Sequence, residues 1–477
     1  MVNPIEAPGP RGWPLVGVAF QFRRDPLALL MSSVRAFGDV VQLPLLKLPL
    51  SPLEPRHRLY IVNQPALVRH ICLTNRAKYR THKQLVDKLR LVLDLADGEL
   101  LTSVGDEWVQ RKTTLQPAFS ALTASNDKIV RPVSDMLERW ERLADGATID
   151  VDEEMTRLVT NVFASLFLSL DLEHEDRALA PHWCGMLAGF SRRMAAPLKI
   201  LLRVPSKANR EFHRSLGTVE NRLSTVIADH QQCPHRSRDL LSAWLETSAS
   251  KGAGAPNAKS IRDQMMLLLL AGRKNVSNAM AWACHLLAGN PDVAGRVQSE
   301  TEDACGGNGA DPDSWERIPY VAAVQKEVLR LYPTAWLIAR YCLEDDNLGG
   351  YRIPQGATVF VSPYAMHRNP AFWTEPETFD PGRFLGERGK RILPDVYLPF
   401  GVGPRTCIGN LLTEQIMRIT IAMLSRRFAF EPAPHHQVRI KAASSLSPRG
   451  GLPMVLRKRG SGKEAGQALR TSARRQP

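Results

Sequence analysis

A single cysteine at the entrance to a predicted helix constrains this chain more than any other feature. Residues 398–410 read LPFGVGPRTCIGN, and a helical pattern follows. Gly401 and Gly403 permit a tight turn, and glycines on both sides of Cys407 let a large flat ligand approach the backbone. The positive helix end favours a thiolate at Cys407, and Arg405 can pair with an anionic group of the ligand. The alternative is a buried cysteine in a glycine-rich turn.

The composition is that of an ordinary globular protein. Hydrophobic residues make up 44% of the 477 residues, so a large core can form. Length alone is compatible with two or three domains. The seven cysteines are an odd number without a CxxC pair, which argues against a disulfide scaffold and indicates a reducing compartment.

The net charge of +14 and the chain ends bear on partners and location. Residues 458–477 are a basic tail that we expect to be disordered. The remaining positive charge predicts an acidic partner, an anionic surface or nucleic acid, but neither zinc-finger spacing nor an RRM-like motif supports nucleic acid. The N-terminal segment has no secretory or membrane-spanning stretch, so we expect a cytoplasmic protein.

Hydrophobic periodicity predicts one large, mainly helical domain with small β-sheets. Apolar residues at three- and four-residue spacing indicate helices over most of 149–230, over 261–289 and over 410–427. A helix over 106–122 is expected to break at Pro117. Short strands are predicted at VVQLPLL, RLYIVNQ, LIARYCLE, YRIP, ATVFVSP and PMVLRKR.

His230, Cys233 and His235 lie close together in a polar segment. Three such side chains without a fourth are a weak zinc signal. We therefore expect a solvated loop at this place and no metal site.

The stretch FGVGPRTCIG closely resembles the heme-binding loop of the cytochrome P-450 family, Phe-x-x-Gly-x-Arg-x-Cys-x-Gly. The positions that fit this pattern are Phe400, Gly403, Arg405, Cys407 and Gly409. The resemblance implies that Cys407 is the axial thiolate of the iron of heme b (iron protoporphyrin IX), in a site that includes Phe400, Gly401 and Arg405. Such a ligand supplies electron density to iron and favours O–O cleavage.

Other segments resemble the family in the same order. Glu327 and Arg330 in KEVLR match its Glu-x-x-Arg pair, whose spacing puts both side chains on one helical face. Arg383 in FDPGRF matches the third member of that network. The resemblance implies that these residues brace the fold behind the heme.

Three further positions resemble the family's contacts to the heme propionates. They are Trp108 in GDEWVQRK, Lys112 four positions later, and Arg340 in LIARYCLEDD. An indole N–H and two cations are suited to holding carboxylates. The resemblance extends over about residues 8–457, and it implies a single heme-thiolate domain over 1–457.

The absence of an N-terminal anchor resembles the soluble bacterial members of the family. The resemblance implies a monomeric oxidoreductase that receives electrons from a small acidic ferredoxin or flavodoxin. A basic protein suits such a donor because opposite charges steer their encounter.

The long central helix departs from the family pattern where that pattern places the heme. The usual motif, Ala/Gly-Gly-x-Asp/Glu-Thr, aligns with AGRKN, which keeps Ala271 and Gly272 but has Lys274 for the acid and Asn275 for the alcohol. Ala271 and Asn275 share one stripe with Leu268, and Lys274 lies about 100° round the helix. A close ligand or a local widening of the helix would explain the glycine. Asparagine can still hold a water or bound oxygen, and a buried lysine could donate a proton.

Three functions fit these observations. We favour a monooxygenase, performing hydroxylation or epoxidation with an altered relay, because family membership weighs most. The second is a heme-thiolate enzyme that uses peroxide or rearranges or dehydrates its substrate. In its peroxygenase form Arg273 or Lys274 would hold a substrate carboxylate, and the ordinary length of the cysteine loop counts against that form. The third, a heme-binding partner protein without catalysis, is disfavoured by the intact cysteine loop.

The substrate-contacting regions implied by the resemblance are 80–104, 185–205 and 334–339. They contain many apolar residues, including Leu89, Leu93 and Leu95, which indicates a largely apolar small molecule, such as one of secondary metabolism. A fatty acid, a terpenoid, and a polyketide or peptide intermediate are the alternatives.

Replacing Cys407 with alanine should abolish the red-shifted absorption band of the reduced, CO-bound protein, because that band requires a thiolate ligand. The measurement is the CO difference spectrum of the unchanged protein and of Cys407→Ala. A band that persists in the variant would show that another residue ligates the iron.

Overall fold

The computed structural model describes residues 5–13, 17–44, 58–81, 89, 92–93, 100–103, 105–174, 176–195, 204–233, 238–250, 257–305 and 317–459. Its α-helices are α1 (Ala19–Arg24), α2 (Pro26–Phe37), α3 (Pro65–Arg69), α4 (Gly105–Ala121), α5 (Asp127–Glu141), α6 (Val151–Leu168), α7 (Ala180–Ala195), α8 (Lys207–Gln232), α9 (Leu240–Ser250), α10 (Ala258–Ala288), α11 (Pro291–Cys305), α12 (Pro319–Leu331), α13 (Pro363–Met366), α14 (Gly386–Lys390) and α15 (Asn410–Arg427). A π-helical turn spans His70–Thr74, and short 3-10 turns include Pro381–Phe384.

The strands of the described residues form four small sheets. They are β1 (Val40–Leu43), β2 (Leu59–Val62), β3 (Tyr79–Arg80), β4 (Thr148–Asp150), β5 (Ile338–Cys342), β6 (Asp346–Leu348), β7 (Tyr351–Ile353), β8 (Thr358–Val361), β9 (Phe428–Pro432), β10 (Ile440–Ala442), β11 (Leu446–Pro448) and β12 (Pro453–Lys458). The largest sheet has the order β1-β2-β8-β5-β3, with β2 and β8 parallel. The others are β4-β12-β9, β10-β11 and β6-β7. The predicted class, mainly α with small sheets, is confirmed.

The central helix α10 is the axis of the largest hydrophobic core. It packs against α6, α8, α12 and α15. Its apolar segments, MMLLLL and AMAWACHLLA, are buried on all sides rather than along one stripe. A helix that is apolar all round is expected at the centre of a large protein, so the composition of α10 explains its position.

The predicted helix boundaries are mostly close to the observed ones, with one clear error. Helix α15 covers 410–427 as predicted, and α10 begins three residues before the predicted 261. The expected break at Pro117 is wrong, because α4 continues through this proline. Burial of Leu115, Ala118 and Phe119 around it offsets the roughly 3 kcal/mol that an interior proline costs.

The expectation of a solvated loop at His230 is also wrong. His230 lies near the end of α8 and is buried. Its Nδ1 is 2.7 Å from the carbonyl oxygen of Val226, and its Nε2 is 2.8 Å from Oδ2 of Asp239. Both neighbours are acceptors, so the ring carries both protons. Asp239 also accepts from the Ser169 hydroxyl and from the Ser242 N–H at the start of α9.

The other members of that segment do not form a metal site in the described part of the chain. Cys233 is exposed, and His235 lies outside the described residues. No group of three metal-ligating side chains comes together among the residues that the structure describes.

Two expectations, a basic tail and the absence of a membrane-spanning stretch, can be compared with the structure only for the described residues. Strand β12 includes Lys458, and the rest of the predicted basic tail, from residue 460 onward, lies outside the described residues. None of the described helices has the length and hydropathy needed to cross a bilayer.

The His230–Asp239 pair should make stability depend on pH. Burial alone would lower the pKa of His230, but the hydrogen bond and charge of Asp239 raise it. A raised pKa means that the stabilisation is complete below the ordinary histidine pKa of about 6.5 and is lost as pH rises through the folded-state value. At pH 6, His230→Asn should therefore lower the free energy of unfolding by about 2 kcal/mol, and the deficit should shrink at higher pH.

Urea unfolding of both proteins between pH 5.5 and 9 measures this effect. His435→Asn is the control, because His435 is exposed and has a positive φ of 62° that asparagine tolerates. A deficit of His230→Asn that stays constant with pH would mean that the imidazole is not charged in the folded protein.

Candidate active site

The cysteine loop, residues 398–409, is a pair of tight turns closed by backbone hydrogen bonds. The N–H of Cys407 donates to the Phe400 carbonyl at 2.9 Å. Gly401 and Gly403 have φ of +78° and +77°, which glycine adopts at no steric cost. A Cβ at Gly403 would also lie 2.4 Å from the Cys72 carbonyl oxygen. These glycines thus fix the turn that presents Cys407 immediately before α15.

Cys407 is accessible but closely surrounded by protein. It is the only exposed residue between 401 and 410, a stretch that the structure describes in full. Burial nevertheless raises the pKa of its thiol, while the Gly409 N–H and the charge of Lys112 lower it. The cysteine therefore faces a recess, and the helix end alone does not make it a thiolate. A coordinated metal would remove the proton outright.

Four predicted residues come together beside the loop. The Arg405 guanidinium lies 4.6 Å from the centroid of the Trp108 ring, and Lys112 Nζ lies 5.3 Å from it. Burial, and then the charge of Arg340, lower the pKa of Arg405 to about 10. Burial likewise lowers the pKa of Lys112. We call these four residues, Trp108, Lys112, Arg340 and Arg405, the cation cluster. It brings three positive charges together beside one aromatic ring, where they are partly removed from water.

The cation cluster has no acid to balance it among the described residues. Lys112 Nζ donates to the carbonyls of Pro404 and Thr406 at 2.6 and 3.1 Å, which also ties α4 to the cysteine loop. Arg405 donates to the Ser103 carbonyl at 3.0 Å and Arg340 to that of Ala339 at 3.0 Å. Half-buried cations without counterions carry a desolvation cost. The cluster thus fits a ligand that bears carboxylates, next to a sulfur that can ligate a metal.

The predicted brace of Glu327, Arg330 and Arg383 is confirmed. Arg330 donates to both carboxylate oxygens of Glu327, from Nε at 2.6 Å and from Nη2 at 2.8 Å. Arg383 Nε donates to the same carboxylate at 3.1 Å. The two arginines also donate to five backbone carbonyls, between residues 367 and 378. The network joins α12 to the irregular segment that precedes the cysteine loop.

His367 carries this network into the cysteine loop. Its Nδ1 is 3.1 Å from the Arg330 carbonyl, and its Nε2 accepts from the Leu398 N–H at 2.7 Å. One nitrogen donates and the other accepts, so the ring is neutral. Burial and the charge of Arg330 lower the pKa of His367 to about 3, consistent with this state. No sequence pattern signals this residue, because both its partners are backbone groups of distant segments.

The central helix presents a small accessible surface around Ala271. Between 261 and 288, all of which the structure describes, only Ala271 is exposed. The Asn275 side chain donates from Nδ2 to the Ala271 carbonyl at 2.9 Å. Helix α10 remains α-helical through this segment, so no widening occurs there. Ala271 and Asn275 thus share the stripe that the spacing predicts.

Gly272 faces an aromatic ring. A Cβ at this position would lie 2.6 Å from Cε2 of Phe163 in α6, closer than real Cβ contacts. A neighbouring side chain therefore accounts for the glycine, in place of the close ligand or widened helix expected from the sequence.

Lys274 and Arg273 lie away from that stripe. Lys274 Nζ is 2.9 Å from Oδ1 of Asp152, in the first turn of α6. Arg273 is only 8% exposed, its Nε has no hydrogen-bond partner among the described residues, and burial lowers its pKa. Arg273 follows Ala271 by two positions, or about 200° round the helix. Arg273 therefore lies on the side away from Ala271. Lys274 lies about 60° from Ala271 but is engaged by Asp152.

The substrate-contacting regions expected from the sequence are described only in part. Leu93 is buried in the main core, whereas Leu95 and residues 196–203 lie outside the described residues. Trp336, in the 334–339 segment, is buried and donates from Nε1 to the Ala443 carbonyl at 2.7 Å.

Comparison with known proteins agrees with this geometry. The family model described as Cytochrome P-450 matches residues 7–453. Cyclooctatin synthase of Streptomyces melanosporofaciens is 32% identical over 452 residues, covering 94% of each chain. Cyclooctat-9-en-7-ol 5-monooxygenase of the same organism is 29% identical, covering 94% of each chain. Pentalenene oxygenase of Streptomyces avermitilis is 27% identical, covering 93% of this chain and 95% of its own.

A solved structure shares the fold. The crystal structure of the cytochrome P450DA heme domain superposes with a TM-score of 0.82, at 21% identity, over 96% of this chain and 98% of its own. At this identity the likeness bears on the fold alone.

Removing Arg330 should destabilise the protein far more than removing an exposed arginine. Arg330→Ala leaves the Glu327 carboxylate, which is fully buried, without its main partner, at a cost of about 3–5 kcal/mol. Arg352→Ala removes an exposed pair with Asp345 and should cost less than about 1 kcal/mol. Chemical unfolding of the two variants measures the difference. Equal losses would mean that the network does not hold the fold.

Proposed function

Because this chain belongs to the cytochrome P-450 family of heme enzymes, we propose that it is a monooxygenase that hydroxylates or epoxidises a terpene-like, largely apolar small molecule. The observation that carries the proposal is the pairing of an accessible Cys407 with a cation cluster that lacks acidic partners among the described residues. The names of two relatives, pentalenene oxygenase and cyclooctat-9-en-7-ol 5-monooxygenase, support the reaction type and the substrate class.

Two groups of residues in this chain would bind the heme. Cys407 would ligate the iron, while Trp108, Lys112, Arg340 and Arg405 would hold the two propionates. Phe400 and Gly401 shape the turn beside the sulfur. Heme bound through a thiolate supplies the activation of dioxygen. The protein contributes the anchor, the orientation and the surroundings.

Asn275 is proposed to orient a protic group beside the reacting centre. One N–H of its Nδ2 donates to the Ala271 carbonyl, which leaves the other N–H as a donor and Oδ1 as an acceptor. An amide oxygen can accept a hydrogen bond from water or from a substrate hydroxyl, but it releases no proton of its own. Ala271 adds little bulk on this face. We therefore propose that Asn275 positions the proton donor and does not act as one.

The peroxygenase form of the alternative function gains little from the structure. It needs a cation of α10 to hold a substrate carboxylate. Lys274 is paired with Asp152, and Arg273 lies on the side of α10 away from Ala271. The alternative therefore rests on the missing alcohol at position 275 alone. A peroxide-dependent or rearranging enzyme remains the second candidate for that reason.

The electron donor is proposed to be a small acidic ferredoxin or flavodoxin that meets a monomer. The net charge of +14 supports this class of partner, because association between opposite charges is fast and falls with ionic strength.

The oxidant and the substrate class can be tested together. We expect terpene hydrocarbons and alcohols to shift the absorption spectrum of the heme-loaded protein from its substrate-free to its substrate-bound form. The shift should be larger than with fatty acids or peptides. Turnover of the best binder should require a ferredoxin or flavodoxin with its reductase and should be slow with peroxide. Turnover with peroxide alone would contradict the monooxygenase.

Variants of α10 then distinguish the proposed role of Asn275 in proton delivery from the role of the Lys274–Asp152 ion pair. Asn275→Thr restores the alcohol and keeps the Lys274–Asp152 pair, so it should raise the product formed per reductant consumed by about twofold or more. Lys274→Glu with Asn275→Thr should do the same at a further cost in stability, because two acids then meet. Lys274→Met is the control and should change stability but not coupling. If Asn275→Thr leaves coupling unchanged, Asn275 does not position the proton donor.

A further inference from the structure

Three phenylalanine rings form a continuous row between the cysteine loop and the central helix. Phe119 belongs to α4, and Phe163 and Phe167 belong to α6. The centroids of Phe119 and Phe167 are 5.9 Å apart in an edge-to-face contact, and those of Phe167 and Phe163 are 4.9 Å apart in a stacked one. All three rings are buried.

Each end of the row meets a glycine of a segment in the candidate site. At one end, a Cβ on Gly409, two residues after Cys407, would lie 3.5 Å from Cε1 of Phe119. At the other end, a Cβ on Gly272, next to Ala271, would lie 2.6 Å from Cε2 of Phe163. The first is an ordinary contact, whereas the second leaves no room for any side chain. The row thus lies directly against the backbone of α10 and within the width of a methyl group of the cysteine loop.

Such a row resists compression and collapse. Protein interiors are packed as densely as organic crystals, and aromatic rings are rigid. The rings also belong to two helices, each of which is tied to one of these two segments. Lys112 ties α4 to the cysteine loop, and the Lys274–Asp152 pair ties α6 to α10. A change in the length of the row must therefore move the loop and α10 relative to each other.

We propose that Phe119, Phe167 and Phe163 are a spacer that sets the separation between the Cys407 loop and the Ala271–Asn275 segment. The spacer rests on the proposed function, since it assigns these two segments to opposite sides of one heme. Displacements of about an ångström are enough to change reaction geometry substantially. The three rings are positioning residues, and they act through the backbone of Gly409 and Gly272 without contributing chemistry.

The pair Gly272 and Phe163 offers a rescue experiment. Gly272→Ala should drive the new methyl group against the Phe163 ring and force α10 away from it. Phe163→Leu should shorten the row, because leucine lacks the outer ring atoms. In the double variant the leucine makes room for the methyl group, so the separation should return towards that of the unchanged protein.

The readout is the affinity of the ferric, heme-loaded protein for imidazole, followed by the shift of the Soret band. Imidazole must enter between heme and α10, so its dissociation constant reports the separation without requiring turnover. Each single variant should change this constant by about threefold or more, and the double variant should recover most of the change. Melting temperatures of the same samples report stability separately.

Phe428→Leu is the matched control. Phe428 is buried in the same hydrophobic core and packs edge-to-face against Trp140, outside the row. It should lower the melting temperature about as much as Phe163→Leu, since both remove similar buried area, and leave the imidazole constant unchanged.

Two results would overturn the spacer. One is an equal effect of Phe163→Leu and Phe428→Leu on the imidazole constant. The other is a double variant that shows no recovery. These outcomes differ from a failure of the proposed function, in which the unchanged protein would show no thiolate band with CO.

Discussion

The Glu327 carboxylate holds together the parts of the structure on which the candidate site depends. Two arginines share this carboxylate, and their remaining N–H groups bind backbone carbonyls of the segment that leads to the cysteine loop. A buried ion group of this kind contributes little net stability, but losing one partner leaves a charge that cannot be solvated. His367 extends the constraint by joining Arg330 to Leu398. The position of Cys407 thus depends on a network of buried charges and hydrogen bonds that lies outside the cysteine loop.

The cation cluster beside Cys407 differs from the brace in how its charges are balanced. The brace contains one acid for two arginines, but it surrounds them with carbonyl acceptors. Lys112, Arg340 and Arg405 also donate to carbonyls, yet they face one another without a carboxylate among the described residues, and the pKa of Arg405 is lowered. One assembly is complete by itself, whereas the other would be completed by an anionic ligand. This contrast distinguishes a structural network from a binding site more clearly than residue identity does.

What the sequence predicts correctly here is either local in the chain or implied by the family resemblance, as for Arg383 and Trp108. The cysteine loop, the Glu-x-x-Arg pair and the helix over 410–427 are contiguous patterns, and the structure has them as expected. The errors and omissions arise from distant contacts. Helix α4 continues through Pro117 because of the core around it, and His230 is buried with Asp239 as its hydrogen-bond partner. Periodicity carries no information about such partners, so these features required the structure.

The unusual Lys-Asn pair of α10 is explained by the same distinction. Lys274 finds its acid 122 residues away, at Asp152 in α6, and so joins two helices. Asn275 donates one N–H to a carbonyl of its own helix, which leaves its second N–H and its amide oxygen for the site. Neither residue can then supply a proton as an acid would. If the proposed monooxygenation is correct, the protons that it consumes must arrive through water or through a hydroxyl group of the substrate. The substitution thus moves a chemical task from the protein to the molecules that it binds, while α10 itself remains a regular helix.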